Sequence, residues 1–80
     1  MIPNYYKVPG YGTVRDFTCA LADRDRLHVA PSVNNIRADA IEYLSRFPQK
    51  NGVEDLKKAA RCIEEMIERM EQHVPDTKGD

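Results

Sequence analysis

The sequence predicts an all-α domain: three helices, made of an α-hairpin plus a shorter N-terminal helix, with an irregular N-terminal arm. Three observations predict it. Apolar residues recur at threes and fours from Val33 to Phe47 and again from Val53 to Val74, the signature of helix faces. Pro48 and the triplet Lys50-Asn51-Gly52 part these two runs. Pro3, Pro9, Gly10 and Gly12 crowd the first dozen residues, as they do in a loop.

Each element follows in order. The arm carries Tyr5, Tyr6 and Tyr11 between its prolines and glycines. Thr13 is placed to cap the first helix, and Asp16 adds favourable charge to its first turn. Val14, Phe17 and Leu21, with Cys19 or Ala20, supply its apolar stripe, and the charged run Ala22-Asp23-Arg24-Asp25-Arg26 should end it. Leu27 to Pro31 read as a connection. Ser32 is the expected cap of the second helix, whose face is Val33, Ile36, Ala40, Tyr43, Leu44 and Phe47. Pro48 disfavours helical geometry at Phe47 and closes that helix. Asn51 followed by Glu54 reads as a capping box opening the third.

The third helix has the most regular pattern. Val53, Leu56, Ala60, Ile63, Ile67, Met70 and Val74 are spaced alternately by 3 and 4, a heptad seam. Glu54–Lys58, Arg61–Glu65 and Glu65–Arg69 are opposite-charge pairs at helical spacing. The seam either packs on the second helix or is shared across a subunit interface. Ala59, Cys62 and Met66 widen the apolar face enough for both. One helical domain over 1–74 and a disordered tail over 75–80 complete the plan.

Eighty residues bury a small core, which alone supplies no more than about 3–5 kcal/mol. Cys19 and Cys62 lie far apart, outside any zinc spacing and among apolar neighbours, so both read as buried thiols. Oligomerisation, as a dimer or tetramer, is then the expected source of missing core. A net charge of −1 with interspersed signs excludes a general binder of nucleic-acid duplexes. No apolar run reaches the roughly 18 residues of a membrane span. Nor does the start resemble a secretory signal, so a cytoplasmic protein is expected.

No catalytic set, metal site or cofactor motif emerges. A phosphate-binding glycine loop is missing, and His28 and His73 stand alone. Glu64, Glu65, Glu68 and Glu71 alternate with bases on what reads as a solvated face. Two binding candidates remain. Tyr5, Tyr6 and Lys7 combine flat rings with a cation, which suits a nucleobase and its phosphate. Arg46, Lys50, Asp55 and Lys58 crowd the joint between the second and third helices, where helix ends offer unpaired backbone groups. Lys57 and Lys58 sit in the opening turns of a helix, against the local dipole, which points to a bound anion.

The segment 41–67 also resembles a small helical domain widespread among bacteriophages. The residues that carry the likeness are Tyr43, Arg46, Lys50-Asn51-Gly52, Asp55-Leu56 and Lys58-Ala59, about a third of the chain. Asn4-Tyr5-Tyr6 stand where family members often have His-Tyr. Glu42 and Asp39 depart from the family's usual Lys and Asn. Most members have no assigned activity; one is a nucleoside monophosphate kinase that lacks a phosphate loop and works as a large oligomer. Small helical phage proteins of this look include oligomeric sponges that sequester cyclic dinucleotide immune signals, the anti-CBASS kind. The resemblance adds Tyr43 and Asn51 to the ligand-binding candidates and implies a nucleotide or cyclic oligonucleotide as ligand, in the cytoplasm of an infected host cell. The leading expectation is a non-catalytic nucleotide sponge. Its alternatives are a nucleoside monophosphate kinase with active sites shared between subunits and a helical module that grips a host protein.

Overall fold

The computed structural model describes residues 4–73; the expected tail and Val74, the last seam residue, lie outside them. Among these residues three α-helices dominate, as the periodicity predicts, and the arm is more regular than expected. Asn4–Tyr6 form a 3-10 turn, and Lys7–Val8 (β1) pairs antiparallel with Gly12–Thr13 (β2). The reversal between them needs left-handed backbone, which Gly10 supplies at φ 83° and Gly12 at φ 91°. Helix α1 (Val14–Arg24) starts where predicted, with a complete capping box. Thr13 Oγ1 accepts from the Asp16 N–H at 3.1 Å, and Asp16 Oδ2 accepts from the Thr13 N–H at 3.0 Å. Thr13 holds the Asp16 carboxyl below its usual range, through its backbone N–H first and its side chain second. Val14 and Thr18 face inward. Phe17, expected in the buried stripe, is 55% exposed beside an apolar hollow between α1, α2 and the hairpin.

Helix α2 (Pro31–Arg46) corrects the expected cap. Ala30, not Ser32, is the N-cap, and it makes no side-chain cap bond. Pro31 takes the first helical position because its fixed φ suits it and its missing N–H costs nothing there. The helix ends at Arg46, close to the stop that Pro48 predicts, but Phe47 keeps helical backbone (φ −55°, ψ −35°) and the chain runs on through a 3-10 turn over Phe47–Gln49. Helix α3 (Val53–His73) opens one residue later than a cap at Asn51 would place it. The Asn51 side chain turns to Asp55 instead. The Glu54 N–H donates to the Asn51 carbonyl at 3.2 Å, and the Asp55 and Leu56 N–H groups to the Gly52 carbonyl.

The principal packing is α2 against α3, and here the seam is corrected too. Asp55 and Ala59 are buried against α2, with Cys62 and Met66 half-buried behind them. The heptad seam lies on another side and is exposed from Val53 to Met70. Of the expected helical ion pairs, Glu65–Arg69 closes at 3.1 Å, whereas Lys58 goes to an aromatic ring. Cys19 is exposed, against expectation, because α1 packs through the side bearing Val14 and Thr18. Cys62 is half-buried; burial above all, then Asp39 and Glu65, pushes its thiol pKa up.

The resulting core is thin. Val14, Val33, Ala40 and Ala59 are the buried apolar residues among those described, none larger than valine. The radius of gyration is 14.6 Å, against about 12 Å for a compact chain of this length. None of the described helices is long and apolar enough to cross a membrane.

Candidate functional site

The joint between α2 and α3 must reverse the chain within a few residues. Gly52 makes this possible with φ 56°, and its N–H donates back to the Phe47 carbonyl at 2.9 Å. The turn places Asp55, in the first turn of α3, under Arg46, in the last turn of α2. Arg46 Nε donates to Asp55 Oδ2 at 3.0 Å and Nη2 to Oδ1 at 3.2 Å, a two-pronged pair. Asn51 Nδ2 adds a third bond to Oδ1 at 3.2 Å. Asp55 is 0% exposed, so this carboxylate is sealed inside with its partners. A buried charge survives only when paired and hydrogen-bonded in this way. Arg46 outweighs the opposing effect of burial and holds the Asp55 carboxyl below its usual range, with Asn51 assisting. Reciprocally, Asp55 first and Tyr6 second push the Arg46 pKa up.

Aromatic rings complete the corner. Arg46 Nη1 donates to the Tyr6 hydroxyl at 3.1 Å, which brings the N-terminal arm to the helix joint. Tyr5 packs edge-on against Tyr6, with ring centres 4.6 Å apart. Lys50 Nζ lies 5.6 Å from the centre of the Tyr5 ring. The Tyr43 ring has the Arg46 guanidinium at 4.9 Å and Lys58 Nζ at 5.7 Å. Cations so placed are attracted by the electron-rich ring faces.

Eight of the nine predicted ligand-binding residues therefore meet: Tyr5, Tyr6, Tyr43, Arg46, Lys50, Asn51, Asp55 and Lys58. Lys7 stands apart, exposed in β1 on the hairpin. The roles within the group divide. Arg46 and Asp55 are spent on each other, as the floor of the corner. Among the described residues neither Lys50 nor Lys58 pairs with a carboxylate, so they are the cations left for an anion. Arg46, Lys50 and Lys58 against Asp55 and the neighbouring Glu54, in the same first turn of α3, leave the corner with one positive charge in excess.

Sequence reasoning missed a second cluster, at the α1–α2 connection. Arg37 Nη1 donates to Asp25 Oδ2 at 3.0 Å, and its Nη2 to Asn34 Oδ1 at 2.6 Å. Arg24 grips the same carboxylate at 2.8 and 3.0 Å. Arg37 lies among polar residues on α2 and carries no local signal of a partner 12 positions away. No three His, Cys, Asp or Glu side chains among the described residues converge as a metal site would require. Compared with protein-family models, curated proteins and solved structures, the chain matches none. The phage-domain likeness of 41–67 thus rests on the residues that carry it.

Proposed function

We propose that this chain is a non-catalytic nucleotide-binding protein of phage type, a sponge that sequesters cyclic oligonucleotide immune signals without hydrolysing them. The observation that carries the reading is the convergence of Tyr5, Tyr6 and Tyr43 with Lys50 and Lys58 on one positive corner. Those residues come from three separate segments of the chain. A ring face stacks any nucleobase, worth about 1–3 kcal/mol per base. A lysine ammonium held over a ring is also free to move to a phosphate, where the attraction is stronger because it is ionic. The buried Arg46–Asp55 pair keeps Tyr43 and Tyr6 in place and contributes no charge of its own. The immune-signal assignment rests on the general look shared with small helical phage sponges; the likeness of 41–67 itself is to the domain family that includes the kinase.

A thermal-shift screen against mononucleotides and cyclic di- and trinucleotides, with and without magnesium, tests this. A ligand at about 100 times its dissociation constant should add about 2.7 kcal/mol of stability. Lys50→Ala and Lys58→Ala should each weaken binding about tenfold while lowering the unliganded melting point only slightly, since the cation–ring contact each also loses is worth about 0.5–1 kcal/mol at an exposed site. Magnesium-dependent consumption of ATP with a deoxynucleoside monophosphate would replace the sponge by the kinase. Silence across the panel would end the nucleotide reading.

A further inference from the structure

Helix α3 carries two stripes. The inward one, Asp55, Ala59, Cys62 and Met66, lies on α2. The outward one runs from Val53 to Met70, and its Leu56, Ala60, Ile63 and Ile67 each follow an inward residue by one position, a turn of about 100°. Its members are left open: Val53 is 65% exposed, Leu56 38%, Ile63 44%, Ile67 51% and Met70 54%. A continuous apolar stripe of this length on a monomer marks a surface that is covered in the working protein. Lys58 lies on the opposite flank of the inward stripe, toward Tyr43. The stripe and the ligand corner thus occupy different sides of the α2–α3 pair.

We propose that a second copy of this chain covers the stripe, with the two α3 helices antiparallel about a two-fold axis. Three observations select this occupant. The alternate spacing of 3 and 4 from Val53 to Met70 is the pattern by which like helices interlock. The core lacks any buried apolar residue larger than valine among those described, so the missing burial is of the size that a partner subunit supplies. Charge then fixes the direction. The flank of the stripe away from α2 bears Lys57 near one end of the helix, Glu64 midway and Glu71 near the other. Antiparallel pairing sets Lys57 opposite Glu71 of the partner subunit, twice by symmetry, and opposes the helix dipoles. It also brings the two Glu64 side chains together near the axis, one repulsive contact in an otherwise matched edge. Each ligand corner remains complete within its own chain, so the pairing does not depend on what the corner binds.

Sedimentation of the intact chain across a dilution series tests the pairing. A dimer is expected, and Ile67→Lys should weaken it by at least about tenfold. Its circular dichroism should stay unchanged, because Ile67 is half-exposed in the single chain. Glu64→Gln should tighten the dimer at neutral pH by removing the like-charge contact. Direction is read by thiol cross-linking in a background with Cys19→Ser and Cys62→Ala. Glu64→Cys should link to itself, whereas Lys57→Cys should link only when mixed with Glu71→Cys. A monomer at every concentration, a dimer indifferent to Ile67→Lys, or Lys57→Cys linking to itself as readily as Glu64→Cys would each overturn the proposal.

Discussion

The chain turns twice between helices, and each turn is tied by arginine and aspartate, one tie sealed and the other only half-buried. At the α2–α3 joint, Asp55 is fully buried, and the side chain of Arg46 is 16% exposed. At the α1–α2 connection, Asp25 is reached by Arg37 and by an Arg24 whose side chain lies largely in water. The bonds are of similar length; what differs is the consequence of losing one. At the connection Asp25 still has a second arginine and partial access to water when one partner is lost. At the corner the same loss leaves a carboxylate with neither water nor cation.

Arg46→Met should therefore produce the largest effect of any single change considered, lowering the melting midpoint by more than about 10 °C. The diagnostic companion is the double variant Arg46→Met/Asp55→Leu. It removes both charges and should recover most of the loss, since a buried ion pair is often replaceable by apolar groups of similar size. If the double variant melts as low as the single one, packing of the Arg46 stem, and not the stranded charge, is what matters. Thermal denaturation followed by circular dichroism decides between them.

Next in size is the turn that brings the pair together. Gly52 sits at φ 56°, and a Cβ built there would meet nothing within 4 Å. The cost of Gly52→Ala is thus backbone strain alone, about 1 kcal/mol. Gly52→Asn should cost less, because asparagine tolerates left-handed backbone. Equal melting of the alanine variant and the parent would show that the turn relaxes to another conformation.

The corner was largely legible because its tie is local. Arg46, Asn51 and Asp55 lie within ten positions around a proline–glycine break, and cations at one helix end with acids at the next are visible in sequence. The arrival of Tyr6 was not, since it meets Arg46 across 40 positions. The two stripes of α3 show a different limit. Periodicity identifies a helix, but the line that packs inward begins with a charged Asp55 and a small Ala59, so hydropathy favours the outward line. Only the Arg46 partner explains why an aspartate lies inside. Likewise, two-residue strands such as Lys7–Val8 and Gly12–Thr13 are too short to leave an alternating pattern.

The smallest effect separates the two ties by their response to acid. Arg37→Ala should lower the midpoint at neutral pH by no more than about 3 °C, as the half-buried Asp25 carboxylate keeps its two bonds from Arg24. Arg24 first, then Arg37, holds the Asp25 carboxyl down to about 2, from an ordinary 3.8. A depressed carboxyl contributes stability that is complete above its ordinary value and is lost as the pH falls through the folded one. The difference between parent and Arg37→Ala should therefore shrink between about pH 4 and pH 2 and never reverse. Arg46→Met behaves otherwise. With its cation gone, burial drives Asp55 toward the protonated form, so its folded pKa rises above the ordinary value. Such a group stabilises below the ordinary value and loses that contribution as the pH rises through the folded one. Acid down to about pH 4 should accordingly raise the midpoint of Arg46→Met while leaving that of Arg37→Ala nearly unchanged. Parallel acid profiles for the two variants would mean that Asp55 stays solvated once Arg46 is gone, and that burial does not distinguish the corner from the connection.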